Sequence, residues 1–252
     1  MKNLSKTILL IHGAWEGAWS WKETVAFLEK SNHEVIAIDL PGHGNDKTPL
    51  EEITLDLYVD RVKEELVRIG KPVVLVAHSF GGFVVSKVAE EMPGNIEKLV
   101  FVASAVPYDG KNAVEVFTAD EDSEFLENLI YSEDKKSVSM SRETIKNVIF
   151  TGATDAQIDK VIPQLVNQAT KPFLVGVITT EANFGRVPKA YVGTTLDRVV
   201  SPKAQVFTQE FLGIDADEVV TLAFGHVPLE TAPEALAIAI EKLATSKSKM
   251  IA

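Results

Sequence analysis

Short runs of apolar residues recur along the chain, and segments with an apolar stripe on one side separate most of them. The runs are rich in β-branched and aliphatic residues, as buried strands are, and they lie at 7–11, 34–39, 73–77, 98–102, 189–193 and 217–221. Helical patterns lie at 24–30, 55–69, from 83 to near 93, 202–211 and 230–243. This alternation predicts βαβ units and an α/β fold with a mostly parallel central sheet flanked by helices.

The alternation stops between residues 107 and 185. Polar and acidic runs such as 119–124 alternate there with helical patterns, and no strong strand pattern is present. We therefore expect an α/β core made of residues 1–106 and 186–252, with an inserted helical lid of residues 107–185. Glu121, Asp122 and Glu124 could suggest a metal site, but such a mixed run is usually a solvated face, so no metal is expected.

The composition narrows the class of protein and its partners. The chain has 252 residues, 46% of them hydrophobic, and a formal net charge of −11. A chain of this size can bury one large core, its acidic charge disfavours nucleic acid, and its scattered charges disfavour a membrane span. It has no cysteine, so neither a disulfide nor a thiolate site can form.

The two ends of the chain carry few signals. Residues 1–7 lead into an apolar run that is too short for a signal sequence, which favours a cytoplasmic protein. Residues 246–249 have the composition of a frayed tail, and no lipidation signal follows them.

The strand predicted at 73–77 runs into a serine and then into a helical pattern. Such a sharp turn strains the backbone of its central residue and needs small neighbours where the strand and the helix meet. Ala77 and Gly81, two residues before and after Ser79, meet this requirement. The pattern matches the nucleophile elbow G-x-S-x-G with alanine in place of the first glycine, although Ser79 could also simply cap the helix.

A loop rich in glycine and tryptophan follows the first strand. An enzyme that attacks a carbonyl carbon needs two backbone N–H groups aimed at the negative oxygen that forms, commonly one from such a loop and one from the residue after the nucleophile. We expect these donors to be the N–H groups of Ala14 and Phe80. Trp19 and Trp21 are expected to pack in the core, whereas Trp15 lies beside the predicted donors and could contact a substrate.

Two further residues complete a catalytic arrangement. Ser79, Asp197 and His226 occur in the order nucleophile, acid and base, and each follows a predicted strand at the sheet edge where ligands bind. A serine hydroxyl becomes a good nucleophile when a neutral imidazole takes its proton, and a carboxylate fixes the tautomer of that imidazole. Asp39 also ends a strand, but an aspartate before a turn commonly bonds to its own backbone. The sequence therefore predicts a Ser-His-Asp triad.

The remaining histidines are weaker candidates for the base. His12 and His43 lie in turns at the same sheet edge and could line the site. His78 is expected to point away from Ser79, because adjacent side chains at such a turn diverge, and His33 is expected to be exposed. None of the four displaces the predicted base.

Three segments carry a family resemblance: residues 12–21 (HGAWEGAWSW), 77–82 (AHSFGG) and 225–229 (GHVPL). Together they resemble the α/β-hydrolase superfamily, and more narrowly its branch of plant methyl esterases of the salicylate methylesterase type, hydroxynitrile lyases and related bacterial esterases. Residues 180–192 resemble that branch's return from the lid into the sheet. The resemblance covers nearly the whole chain except about residues 111–171.

The resemblance implies roles for five residues, and they coincide with those suggested by the residues alone. The implied roles are nucleophile for Ser79, base for His226, acid for Asp197, and oxyanion donors for the N–H groups of Ala14 and Phe80.

Two positions separate the esterases from the lyases that the chain resembles. Those lyases have threonine after the first histidine and lysine after the catalytic histidine, whereas this chain has Gly13 and Val227. A departing cyanide anion favours a nearby cation, which valine does not provide. The comparison therefore favours an esterase.

The sequence thus predicts a serine hydrolase that cleaves a small carboxylic ester through an acyl-enzyme intermediate, without metal or organic cofactor. The apolar lid favours an uncharged or aromatic ester, with Trp15 and His12 as substrate contacts. A homodimer is compatible with the sequence. The alternatives are another acyl or C–C bond hydrolase, such as a thioesterase or amidase, or a non-catalytic small-ligand binder, which hormone receptors of this fold resemble.

Overall fold

A six-stranded parallel sheet lies at the centre of residues 5–246, which are the residues that the computed structural model describes. The strands of the whole described chain are β1 (Thr7–Ile11), β2 (Glu34–Ile38), β3 (Val73–His78), β4 (Ile96–Val102), β5 (Ile130–Tyr131), β6 (Ser137–Ser139), β7 (Gln168–Ala169), β8 (Lys189–Thr194) and β9 (Val219–Leu222). The large sheet has the order β2-β1-β3-β4-β8-β9, and its neighbouring strands are parallel throughout. The α/β fold predicted from the alternating pattern is confirmed.

The central strands are covered on both faces. Every residue of β1 and β3 is buried, which explains why their sequences are continuous apolar runs rather than alternating ones. The edge strand β2 is only partly buried. The apolar core therefore surrounds the strand that ends next to Ser79.

Some helices flank this sheet, and others lie in the region predicted as the lid. They are α1 (Lys22–Lys30), α2 (Leu55–Ile69), α3 (Gly81–Glu91), α4 (Ala113–Thr118), α5 (Arg142–Thr144), α6 (Asp155–Val161), α7 (Pro202–Phe211), α8 (Pro228–Thr231) and α9 (Pro233–Thr245). Helix α1 packs against α9, and α2 packs against α3. Because the chain crosses from β1 to β2 in one direction and from β2 to β3 in the other, right-handed crossovers place α1 and α2 on opposite faces of the sheet.

Local signals set some boundaries and miss others. Helix α2 has the predicted bounds, since the Thr54 side chain accepts from the N–H of Leu57 at its start and Gly70 ends it with φ 71°. The last predicted helix is instead split into α8 and α9. Pro233 lacks the N–H that a continuous helix would need at that position.

The predicted lid contains more than helices. Strands β5, β6 and β7 form a small antiparallel sheet there, together with α4, α5 and α6 and a π-helical turn at Ile145–Ile149. The expectation that this region lacks strands was wrong, because strands of two or three residues are too short to produce a recognisable alternation. The proposed lid boundaries at residues 107 and 185 stay a prediction.

Two expectations about single side chains have opposite outcomes. Trp21 is fully buried and Trp19 packs against the core, as predicted. His33 was expected to be exposed but is buried, where its Nδ1 accepts from the N–H of Lys6 at 3.2 Å and its Nε2 lies 3.9 Å from Glu241 of α9. The sequence around His33 does not reveal a neighbour more than 200 residues away.

Two expectations concern the ends of the chain and the membrane. No helix within residues 5–246 is long and apolar enough to cross a membrane. The predicted tail at 246–249 lies outside the described residues, apart from Ser246.

Candidate active site

Ser79 occupies a sharp turn between β3 and α3. Its φ is +50°, a conformation that side chains other than glycine rarely adopt, and its N–H donates to the carbonyl of Val102 at 3.1 Å. A Cβ atom at Gly81 would lie 2.8 Å from the carbonyl oxygen of His12, so a glycine is needed there. The strained serine with small neighbours, predicted from the sequence, is present.

Ser79, His226 and Asp197 form a buried chain of hydrogen bonds. The Nε2 atom of His226 lies 2.8 Å from Oγ of Ser79, and its Nδ1 atom lies 2.9 Å from Oδ2 of Asp197. All three residues are at most 7% exposed. Because a carboxylate accepts, Nδ1 carries the hydrogen and Nε2 is left free to accept the hydroxyl proton of Ser79. The geometry therefore suits removal of a proton from the serine.

Asp197 is held by four other donors. Its Oδ1 accepts from the N–H groups of Val199 and Val200 at 2.8 and 3.0 Å. Its Oδ2 accepts from the Thr194 hydroxyl at 3.0 Å and from Nε2 of Gln205 at 3.1 Å. The sequence did not reveal Gln205, which reaches the carboxylate from α7. Thr194 is the last residue of β8, and this position at the carboxyl end of a strand is the sequence feature that could have indicated its contact with Asp197.

The structure assigns Asp39 a different task from that of Asp197. Its carboxylate accepts from the N–H groups of Ala18 and Asn45 at 2.7 and 3.0 Å, so it joins two loops. The sequence suggested a bond to the backbone of the adjacent turn, but both donors lie farther away along the chain.

The two predicted oxyanion donors border the same cavity as Ser79. Among the described residues, neither the N–H of Ala14 nor that of Phe80 has a hydrogen-bond acceptor. The loop before Ala14 lies directly against the serine, since a Cβ atom at Gly13 would be 3.0 Å from Cβ of Ser79. Free donors beside the serine are what an oxyanion requires.

The cavity over Ser79 is narrow, with a volume of about 20 Å³ and mainly apolar walls. The predicted lid contributes several of these walls, including Phe117, Phe125, Met140 and Phe150. The polar side chains of the described lining are those of Glu16, His78, Ser79 and His226, without lysine or arginine. The chemistry of this surface is that of a site for a neutral, largely apolar ligand.

Trp15 borders the cavity and also binds the lid. Its indole N–H donates to the carbonyl of Val138 at 2.9 Å, and its backbone N–H donates to Oε1 of Gln168 at 3.3 Å. Its ring makes edge contacts with Phe125 and Phe173. With φ +63°, its backbone adopts a strained conformation that these contacts hold in place.

His12 and His43 are not among the described residues that line the cavity. The Nδ1–H of His12 donates to the Gly13 carbonyl at 2.7 Å, and Nε2 accepts from the N–H of Leu40 at 3.0 Å. Burial, followed by repulsion from His43, holds the pKa of His12 well below its ordinary value. The structure therefore places a neutral His12 beneath the loop rather than against a substrate.

A pair that the sequence did not reveal, Glu16 and His78, lies beside the serine. Oε2 of Glu16 accepts from the Gly13 N–H at 3.0 Å and lies 2.8 Å from Nδ1 of His78. The Nε2 atom of His78 lies 2.9 Å from the backbone carbonyl oxygen of His226. Burial is the largest single effect and opposes a charge on His78, but the charge and hydrogen bond of Glu16, the carbonyl of His226 and the charge of Asp197 together raise the pKa of His78.

A parallel sheet flanked by helices, with a strained serine at the carboxyl end of a central strand, defines the α/β-hydrolase class of fold. The model of the Alpha/beta hydrolase family matches residues 8–239. The chain therefore belongs to that family.

Individual relatives are more distant. Putative methylesterase 11, chloroplastic, of Arabidopsis thaliana is 27% identical over 90% of this chain, and the chain spans 61% of that protein's length. Methyl jasmonate esterase 1 of Vitis vinifera is 25% identical over 98% of this chain and 100% of its own. An extracellular alpha/beta-hydrolase from a Paenibacillus species, described as homologous to tobacco salicylic acid binding protein 2, has a TM-score of 0.80 at 23% identity and covers 96% of this chain and 100% of its own. This last likeness supports the fold.

The comparisons leave two expectations open. The cytoplasmic location stays a prediction, and one of these relatives is named as chloroplastic. The homodimer also stays a prediction.

Proposed function

We propose that the protein is a carboxylic-ester hydrolase with Ser79 as nucleophile, His226 as base and Asp197 as the acid that orients His226. The observation that carries the proposal is the hydrogen-bonded chain of these three buried side chains, of which Ser79 and His226 line an apolar cavity. The names of the relatives, which include methylesterases and a methyl jasmonate esterase, support the same reaction.

Acylation follows from the positions of the atoms. Oγ of Ser79 attacks the ester carbonyl carbon while Nε2 of His226 takes its proton. The carbonyl oxygen becomes negative and accepts from the N–H groups of Ala14 and Phe80. His226 then gives the proton to the leaving alcohol, and the acyl group stays on Ser79.

Deacylation reverses the proton path. A water molecule gives a proton to Nε2 of His226 and attacks the acyl carbon, and the acid leaves when Oγ of Ser79 recovers the proton. Asp197 stabilises the imidazolium in both halves of the reaction. His226 accepts the proton and then gives it up in each half of the reaction.

The cavity supports a small, uncharged substrate that is largely apolar. Its walls provide aromatic and aliphatic surface, and Trp15 closes the side next to the oxyanion donors. His12 is omitted from the proposed substrate contacts because it does not border the cavity. Val227 is buried in the lining where the resembling lyases have lysine, which favours ester hydrolysis over cyanide release.

Hydrolysis of a thioester, an amide or a C–C bond would use the same three side chains. When the acyl group is kept the same, the preferred bond depends on the leaving group. Matched ester, thioester and amide substrates with one acyl group distinguish these reactions by their kcat/KM values.

A labelling experiment tests the proposal. We expect the protein to hydrolyse a short-chain nitrophenyl ester and an organophosphonate to abolish turnover by modifying Ser79, as mapped by mass spectrometry. Ser79→Ala should lose turnover with an unchanged melting temperature. Ser86→Ala is the matched control, because Ser86 is buried in α3 with its hydroxyl bound to the Gly82 carbonyl. Activity retained by Ser79→Ala would refute the proposal.

A further inference from the structure

The hydrogen bonds of His78 determine its protonation. Both ring nitrogens face acceptors, since Nε2 lies 2.9 Å from a backbone carbonyl oxygen and Nδ1 lies 2.8 Å from the carboxylate of Glu16. A carbonyl cannot donate, and Oε2 of Glu16 already accepts from the Gly13 N–H. A hydrogen on each ring nitrogen satisfies all of these contacts, and the ring is then an imidazolium next to a carboxylate.

We propose that Glu16 and His78 form a buried ion pair that positions the oxyanion loop and the base of the esterase. Both are positioning residues, since they act through Gly13 and His226 rather than on the ester. The inference rests on the proposed function, and it adds a charged pair beside the hydrogen-bonded pair of His226 and Asp197.

The pair joins the three parts of the site that must keep their relative positions. Glu16 holds the N–H of Gly13, the residue directly before the proposed donor Ala14. His78 is bonded covalently to Ser79 and holds the carbonyl of His226. One chain of contacts therefore connects the oxyanion loop, the nucleophile and the loop that carries the base.

The charges around His78 favour the ion pair. Glu16 and Asp197 raise the pKa of His78, whereas the lowered pKa of the nearby His12 keeps that ring neutral. The ring of His226 lies 4.9 Å from that of His78, so an uncompensated imidazolium would oppose protonation of the base during turnover. The carboxylate of Glu16 balances this charge. Both residues of the pair are at most 3% exposed, so water screens them little.

Glu16→Gln removes the charge and keeps the approximate shape. We expect kcat to fall about 10- to 100-fold with KM within about threefold, because a displaced oxyanion donor weakens binding of the transition state more than binding of the ester. Glu65→Gln is the matched control. Glu65 is also a buried carboxylate, paired with Arg61 and Arg68 on α2, and its loss should leave kcat unchanged.

The charge of His78 can be measured without an activity assay. ¹⁵N NMR spectra of the wild-type protein at pH 8 should show a proton on both ring nitrogens of His78. The His78 signals can be assigned through its backbone connection to Ser79. In Glu16→Gln, one ring nitrogen should lose its proton, because the counter-ion is gone. A single ring N–H in the wild-type protein would overturn the ion pair even if no variant folds.

A double variant tests whether the two residues act together. If they are one unit, Glu16→Gln combined with His78→Gln should lose about as much kcat as either change alone. Losses that multiply, or a wild-type kcat in Glu16→Gln, would overturn the positioning role. A wild-type protein that neither hydrolyses esters nor becomes labelled at Ser79 would refute the proposed function, and the NMR result would still decide the ion pair.

Discussion

A single methyl group added at Gly13 should slow ester hydrolysis without unfolding the protein. A Cβ atom at this position would lie 2.8 Å from Nδ1 of His78, 3.0 Å from Cβ of Ser79 and 3.1 Å from Oε2 of Glu16. Ordinary van der Waals contact begins at 3.4 Å. The loop of Gly13→Ala must therefore move away from the serine by about 0.6 Å to relieve the closest contact.

This movement displaces the proposed oxyanion donor, because the N–H of Ala14 belongs to the next residue. Loss of a whole donor costs about 10²- to 10³-fold in kcat, and a misplacement of about 1 Å costs about 10²-fold. A shift of this size should therefore lower kcat about 10- to 100-fold. KM should change little, since the donor binds mainly the transition state.

Steady-state hydrolysis of a nitrophenyl ester, together with thermal melting, checks the expectation. Gly94→Ala is the matched control, because a Cβ atom at Gly94 meets no atom within 4 Å and its backbone needs no positive φ. If Gly13→Ala keeps kcat within twofold of the wild-type value while Gly94→Ala behaves normally, the loop does not position a donor. The reasoning from close contact would then be refuted.

Two further changes test the role of Asp197 and the raised pKa of Glu230. In the same assay, Asp197→Asn should lower kcat about 10⁴-fold with little change in KM. The reason is that an amide group facing Nδ1 of His226 favours the wrong imidazole tautomer. A loss of kcat below about tenfold would contradict the role of Asp197. Burial and then repulsion from Glu16 and Glu23 raise the pKa of Glu230 from 4.5 to about 7, so folding binds a proton and stability falls as pH rises from 4.5 to 7. Glu230→Gln should therefore raise the free energy of unfolding, measured in urea, at pH 8 but not at pH 4. An equal rise at both pH values would show that the raised pKa of Glu230 is not the cause.

Much of the fold is encoded in local patterns. A strand buried on both faces needs a continuous apolar run. An N-cap such as Thr54 begins a helix, and a left-handed glycine such as Gly70 ends one. The same local logic located Ser79, since a sharp strand-to-helix turn requires small residues on each side. The pattern failed in the lid, where strands of two or three residues carry no period.

The candidate triad was also predictable, because parallel strands bring their carboxyl ends to one edge of the sheet. Residues that follow different strands, such as Ser79, Asp197 and His226, are therefore neighbours even when they lie far apart in the chain. The sequence could not establish that His226 touches both partners, since the distances depend on how the loops pack.

What the sequence by itself determined is the alternation of strands and helices, the strained serine turn and the residues at the active edge of the sheet. What only the tertiary structure decided is the set of contacts between separate segments: Gln205 of α7 with Asp197, Glu16 with His78, and Trp15 with Val138 of the predicted lid. No repeating pattern specifies these contacts, because the partner of each side chain lies on another segment of the chain. Short-range patterns encode the conformation of a segment, whereas the charge and burial of a side chain depend on every segment packed around it.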